Sequence, residues 1–387
     1  MPMTLSLPCA DGSLSSFTLR AAPVWQPPTA PFRTRIAYAA AHVVCDPRRE
    51  FDSSGVAPID WESTLAYRRH LWRHGFAIAE AMDTAQRGGG LSWPMAQELI
   101  ARVLAESKAE GGGIACGAGT DHLSPGASVT LGDVERAYAE QVGYVEAHGG
   151  RVILMASRAL ARVARTADDY RRVYGNILRQ ASAPVILHWL GDMFDPALAG
   201  YWGTSNLDDA TTVCLDIITE HRAKVNGIKI SLLDAQREID MRARLPAGVR
   251  MYTGDDFNFD ALILGDNTHH SDALLGIFDA IAPAASVALQ ALDSGDRARY
   301  HEILAPTVPL SRHIFQAPTS AYKTGIVFLA YLNGHQLHFR MLGGAESARS
   351  AVHLGEVVRL ADTAGLLRDP DLAAERARAV FAVAGIS

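Results

Sequence analysis

The chain has 387 residues, of which 48% are hydrophobic and 20% charged, and its formal net charge is −6. This is the composition of a globular protein with a large core, and the negative charge argues against a nucleic-acid or membrane-surface partner. The four cysteines are scattered without a CxxC pair, which indicates free thiols rather than a disulfide framework or a zinc site. No apolar run reaches about 18 residues, and the first residues lack a secretory signal, so we expect a cytoplasmic protein.

The first 32 residues differ in character from the rest of the chain. Two segments that alternate apolar and polar residues, 4–7 and 16–19, flank Asp11-Gly12 and predict a β-hairpin. Pro27, Pro28 and Pro31 then predict a stiff linker. We therefore expect residues 1–32 to form an N-terminal extension.

From residue 33 onward, predicted strands and helices alternate. The strands are predicted at 35–45, 76–82, 113–117, 151–156, 184–189, 225–231 and 249–253. The helices are predicted at 61–74, 94–106, 131–147, 168–180, 208–221 and 233–241. Residues 258–264 are interpreted as a compressed helix-plus-strand pair, and almost all of the chain after 273 is predicted to be helical. Apolar strands that are each followed by a helix indicate a parallel sheet covered on both faces.

Two architectures satisfy this pattern, a doubly wound sheet and a (β/α)8 TIM barrel. No GxGxxG follows the first strand and no GxxxxGK[ST] occurs, so the usual phosphate loops of doubly wound sheets are missing. Polar residues also follow almost every strand, and in a barrel these positions meet at one mouth. We predict a barrel over 33–285, with a C-terminal helical region, 286–387, that packs on it.

Lys229 is the sharpest chemical signal in the chain. The sequence has only four lysines, and this one lies in an apolar strand, Val225-Asn226-Gly227-Ile228-Lys229-Ile230-Ser231. If it faces the barrel interior, burial favours its neutral amine, which is the nucleophile that forms a Schiff base with a ketone or aldehyde. The alternative is a strand-end lysine that reaches solvent or joins a structural ion pair, and the spacing alone leaves both open.

Five short motifs in order resemble the dihydrodipicolinate synthase / N-acetylneuraminate lyase family of class I aldolases. They are Ala118-Gly119-Thr120, the strand Pro184–Trp189, Gly227-Ile228-Lys229, Gly254-Asp255-Asp256 and the segment Ala317–Lys323. The resemblance extends from about residue 33 to residue 343, and the chain looks like a longer, uncharacterised branch. It implies a lyase or aldolase, acting by C–C cleavage, condensation or dehydration, with Lys229 as the Schiff-base lysine and no separate cofactor. It also implies a small keto substrate and a homo-oligomer, either dimer or tetramer.

The departures from the family pattern bear on the substrate. The family's proton-relaying Tyr is His188 here, which can still transfer protons or can simply hydrogen-bond within the mouth. The family's carboxylate-binding loop falls at Met82–Gln86, where an Asp stands beside the one retained Thr, and the Arg that some relatives carry after the Tyr strand is absent. These changes predict a keto-sugar-like polyhydroxy ketone more than a keto acid. The predicted substrate-binding residues are Asp83, Thr84, Gln86, Thr120, Asp121, Ser157, Arg158, Asp255 and Asp256.

Two other functions compete with the lyase. His269 and His270, interpreted as following the last strand, could serve a metal-dependent barrel isomerase or hydrolase, although no metal-binding spacing supports it. A barrel that has lost catalysis and binds sugars is the other alternative. Arg158 likewise has two interpretations, as the ligand of one carboxylate or phosphate and as a structural partner of an Asp.

Overall fold

The computed structural model describes residues 4–51, 56–123, 128–266 and 268–386. Strands β1 (Thr4–Pro8) and β2 (Leu14–Thr18) pair antiparallel near its start. The carboxylate of Asp11 accepts hydrogen bonds from the Ser13 amide at 3.0 Å and the Ser13 hydroxyl at 2.6 Å, which shapes the turn between the two strands. The predicted N-terminal hairpin is confirmed.

Eight parallel strands form a closed barrel in chain order, in which the last strand pairs with the first. They are β3 Ala37–Ala40, β4 Ala77–Glu80, β5 Ile114–Ala118, β6 Arg151–Leu154, β7 Val185–Leu190, β8 Val225–Ser231, β9 Arg250–Thr253 and β10 Asp272–Leu275. The strand predictions from 76–82 through 249–253 agree with β4 to β9 within two residues at each end. The predicted TIM barrel is confirmed.

Apolar side chains on the barrel strands and their ends form one buried cluster. Its members are Tyr38, Ala40, Ala79, Met82, Ala115, Ile153, Ile186, Tyr252 and Leu274. Small residues on β4 and β5 leave room for the two tyrosine rings, whose centroids are 5.9 Å apart in an edge-to-face arrangement. We call this cluster the barrel floor, and its packed side chains fill the barrel interior as in other TIM barrels.

The described residues also form fourteen α-helices. They are α1 Trp61–Arg73, α2 Trp93–Glu110, α3 Leu131–Ala147, α4 Arg158–Val163, α5 Ala167–Gln180, α6 Leu207–Glu220, α7 Ala235–Arg244, α8 Phe259–Leu264, α9 Ile277–Asp293, α10 Arg297–Leu304, α11 Val308–Ile314, α12 Tyr322–Leu332, α13 Ala351–Thr363 and α14 Pro370–Val383. Helix α3 matches its predicted bounds, because a capping box of Thr130 and Asp133 fixes its start. No described helix is both long and apolar enough to cross a membrane.

Backbone contacts divide the chain into two compact units. One contains all eight barrel strands and helices α2 to α8, from residues 35–41 and 77–275. The other contains the described parts of 1–34, 42–76 and 276–387, with the hairpin, α1 and α9 to α14. Residues 285 and 286, where the sequence placed a domain boundary, both lie within α9. The division at 1–32, 33–285 and 286–387 stays a prediction.

The last barrel strand is where the sequence prediction was wrong. Residues 258–264 contain only helix α8, and the strand follows at Asp272–Leu275, where helix was expected. Its sequence, DALL, has no β-branched or aromatic residue, so local propensity does not mark it as a strand. Pairing with β3 and β9 closes the barrel and decides its conformation.

Candidate active site

Lys229 and His188 lie side by side within the barrel. They are directly paired in the register of β7 and β8, and both are buried, with 7% and 3% of their surface exposed. A Cβ atom on Gly227, two residues before Lys229, would come within 2.6 Å of the Tyr252 ring in the barrel floor. Because side chains on a strand alternate in direction, Lys229 shares this inward face. The structure therefore places the lysine inside the barrel.

Ser231 is a third member of this group, and the sequence analysis did not nominate it. It lies two residues after Lys229 on the same face of β8 and is 2% exposed. Its hydroxyl oxygen is 3.3 Å from Nε2 of His188, within hydrogen-bond distance. The two-residue period of a strand was the signal that could have found it.

Gly254 brings the turn after β9 against the lysine. A Cβ atom at this position would lie 2.6 Å from Cε of Lys229 and would also overlap the Ser231 hydroxyl. Only glycine lets the backbone approach this closely. The Gly254-Asp255-Asp256 motif therefore serves first to pack the turn onto the lysine.

Burial and neighbouring charges act in opposite directions on the lysine. Burial lowers the pKa of Lys229, while the negative charges of Asp256 and Asp83 act to raise it, and the net shift is downward. The pKa of His188 lies well below its usual value, first because of burial and second because of the positive Lys229. At neutral pH the imidazole is therefore neutral, and the lysine loses its proton more readily than a lysine in water.

Asp255 and Asp256 are both buried, with 1% and 3% exposed. The Asp255 carboxylate accepts hydrogen bonds from the amide of Phe257 at 2.9 Å and from the side-chain amide of Asn258 at 2.8 Å, so it shapes the turn. Asp256 acts on Lys229 by its charge. The two predicted substrate-binding residues thus differ in their surroundings.

The predicted substrate-binding residues after β5 and β6 also differ from one another in their surroundings. The hydroxyls of Thr120 and Ser157 are 2.6 Å apart and buried, and Ser157 also caps the start of α4. Arg158 is 60% exposed and forms an ion pair with Asp195.

Asp121 forms an ion pair of 2.7 Å with Arg87, a buried residue that the sequence analysis missed. No local pattern in the sequence distinguishes Arg87 from the many other arginines.

The loop after β4 carries Asp83, Thr84 and Gln86. Thr84 and Gln86 are each 2% exposed, and the Gln86 side-chain amide donates to the Gly89 carbonyl at 3.1 Å. Asp83 acts on Lys229 by its charge. The structure therefore brings Asp83 and Asp256 into the electrostatic environment of Lys229 from two separate loops.

The placement of His269 and His270 after the last strand was wrong. They precede β10, which begins at Asp272, so they lie at the amino ends of the parallel strands. Lys229 and Ser231 lie towards the carboxyl end of β8, at the other end of the barrel. Within the described ranges, no three His, Cys, Asp or Glu side chains are grouped so that they could hold a metal ion.

Comparisons with solved structures find the same fold in other proteins. A putative dihydrodipicolinate synthetase from Pseudomonas aeruginosa matches with a TM-score of 0.61 and 17% identity, over 84% of this chain and 99% of that one. Dihydrodipicolinate synthase from Aquifex aeolicus matches with 0.63 and 12%, over 86% and 99%. YagE from E. coli K12, a prophage protein of the dihydrodipicolinic acid synthase family solved with pyruvate, matches with 0.65 and 13%, over 86% and 99%.

These likenesses show that the chain has the fold of the dihydrodipicolinate synthase structures. No curated protein matches it in sequence. Residues 5–386 match a family described as "Protein of unknown function (DUF993)", and the chain belongs to that family. The resemblance stated from the five motifs is confirmed at the level of the fold.

Proposed function

We propose that this protein is a class I lyase, in which Lys229 forms a Schiff base with a small keto compound. The observation that carries the proposal is a single buried lysine inside the barrel, paired with His188 and with its pKa lowered by burial. Burial raises the fraction of neutral amine, which is the form that attacks a carbonyl carbon. YagE, which has the same fold, was solved with pyruvate, and this supports a keto compound as the substrate class.

The reaction divides into two stages. Nζ of Lys229 bonds to the carbonyl carbon, and the carbonyl oxygen leaves as water after it gains two protons, which gives a protonated imine. That cation then accepts the electron pair of a breaking C–C or C–H bond. Ser231 and His188 share a hydrogen bond and lie next to the lysine, so they are suited to carry the protons that each stage moves.

The charges near the lysine favour a polyhydroxy ketone, similar to a keto sugar, over a keto acid. The negative charges of Asp83 and Asp256 both act on Lys229, so they would repel the carboxylate of a substrate bound to this lysine. Arg87 is engaged by Asp121, and Arg158 by Asp195. Carboxylates accept hydrogen bonds from hydroxyl groups, so the same residues suit a hydroxylated substrate.

Borohydride trapping tests the proposal. We expect cyanoborohydride with dihydroxyacetone, and more weakly with pyruvate, to add one reduced adduct that peptide mass spectrometry locates on Lys229. Lys229→Arg should abolish the adduct. Lys224→Arg, a change five positions earlier in the chain, is the matched control and should retain it. If neither these ketones nor a wider set of keto acids and keto sugars modifies Lys229 in the folded protein, the proposal is overturned.

A further inference from the structure

The guanidinium of Arg87 is buried at the carboxyl ends of two barrel strands, with 3% of its side chain exposed. Its Nε and Nη2 donate to the two carboxylate oxygens of Asp121 at 2.8 and 2.7 Å, and Nη2 also donates to Gln141 at 2.5 Å. Its Nη1 donates to the carbonyls of Ala81 at 3.1 Å and Gly117 at 3.2 Å. All five N–H groups of the side chain are therefore used within the protein.

These contacts hold a turn whose backbone is strained. Ala81 and Gln86, at the two ends of the turn, have φ angles of +53° and +64°, in the left-handed region that disfavours residues with a Cβ atom. Arg87 closes the turn twice, because its amide donates to the Met82 carbonyl at 3.2 Å and its side chain donates to Ala81. Strained backbone persists where its surroundings fix it, and such sites cluster where a protein does chemistry.

The turn follows the carboxyl end of β4, so Asp83 lies at the same end of the barrel as Lys229, and its negative charge acts on the lysine. Asp83 acts from the loop after β4 and Asp256 from the turn after β9, and both raise the pKa of Lys229 against the effect of burial. His188 on β7 and Tyr252 on β9 are the register partners of Lys229, and burial keeps the imidazole neutral by lowering its pKa and the phenol neutral by raising its pKa. A Coulomb interaction depends on distance, so a displaced turn changes the protonation of the amine.

We infer that Arg87 is a positioning residue, which acts on Lys229 by fixing the turn that carries Asp83. The inference rests on the proposed role of Lys229 as the amine nucleophile. Lysine cannot replace Arg87, because an ammonium has three donors on one nitrogen and cannot reach five acceptor atoms spread over the turn after β4, strand β5, the loop after it and helix α3. Arg87→Lys thus keeps the charge and loses the geometry.

Cyanate labelling measures the amine without any keto substrate, since cyanate carbamylates only unprotonated amines. The chain has four lysines, and peptide mass spectrometry follows Lys229 and Lys323 in the same sample. In Arg87→Lys we expect the pH profile of Lys229 labelling to move to lower pH, with at least about a threefold faster reaction below its midpoint. Lys323 should keep its profile. Arg136→Lys, a change at a 74% exposed arginine on α3, is the matched control and should leave both unchanged.

Asp83→Asn separates positioning from a general loss of structure. It should shift the Lys229 profile in the same direction, and Arg87→Lys should add no further shift in that background. An additional shift there, or an unchanged profile in folded Arg87→Lys, overturns the inference. If Arg87→Lys does not fold, Gln141→Met removes one acceptor without changing charge and must produce the same downward shift.

The two proposals fail separately. An absent borohydride adduct in the wild-type protein overturns the lyase function, while the cyanate profiles still report on Arg87. Unchanged cyanate profiles with a normal adduct overturn the role of Arg87 alone.

Discussion

Acidification is expected to destabilise the unit that contains α1 and α9 to α14, because burial lowers the pKa of two of its histidines far below that of a histidine in the unfolded chain. The ring centroids of His70 and His335 lie 4.4 Å apart, and those of His70 and His74 are also 4.4 Å apart. Burial, together with neighbouring positive groups that include Arg368, lowers the pKa of His70 to about 2 and that of His335 to about 3. In the unfolded chain both titrate near about 6.5.

The magnitude follows from linkage. A lowered folded-state pKa gives stability that is fully present above pH 6.5 and is lost as the pH falls towards the folded value, because the unfolded chain binds the proton first. At pH 5 each histidine lies about 1.5 units below its unfolded pKa, which costs about 2 kcal/mol. Both remain neutral in the folded state at this pH and bind their protons independently in the unfolded chain, so their contributions add to about 4 kcal/mol.

Urea unfolding at pH 8 and pH 5, followed by circular dichroism, measures this loss. Glutamine does not titrate, so His70→Gln and His335→Gln should each remove about 2 kcal/mol of the difference between the two pH values. His301→Gln changes an exposed histidine on α10 and is the matched control. If His335→Gln shows the same pH dependence as the wild-type protein, the reasoning from burial is refuted.

Three further predictions concern single positions. Gly254→Ala should abolish trapping on Lys229, since the added Cβ meets the lysine side chain, whereas Gly143→Ala, with open space around it, should retain trapping. Burial raises the pKa of Glu238 to about 8, so its contribution to stability is lost as the pH rises from about 4.5 to 8. Glu238→Gln should therefore flatten the thermal stability measured across that range, and an unchanged slope contradicts this. Asp60→Ala should lower the unfolding free energy by about 1 kcal/mol in a urea titration, because Asp60 caps α1, and no change would show that the cap contributes nothing.

The sequence by itself determined the class of fold and nominated the central residue of the candidate site. Apolar strands that alternate with amphipathic helices have few solutions, and the period of each element is a local property of the chain. Lys229 stood out as a candidate because a lysine in the middle of an apolar strand is a local anomaly, and the resemblance to the aldolase family implied its role. His188 was predicted only from the resemblance, since it stands at the position of the family's Tyr one strand earlier.

Tertiary structure alone decided the rest. Strand β10 forms because β3 and β9 pair with it. Since it begins at Asp272, His269 and His270 precede it and lie at the opposite end of the barrel from Lys229. The environment of Arg87 depends on five acceptor atoms, contributed by residues from Ala81 to Gln141, and only the folded chain brings them around one guanidinium. Contacts between distant parts of a chain leave no periodic trace in it, so sequence patterns identify elements, while the environment of each charged group depends on the folded chain.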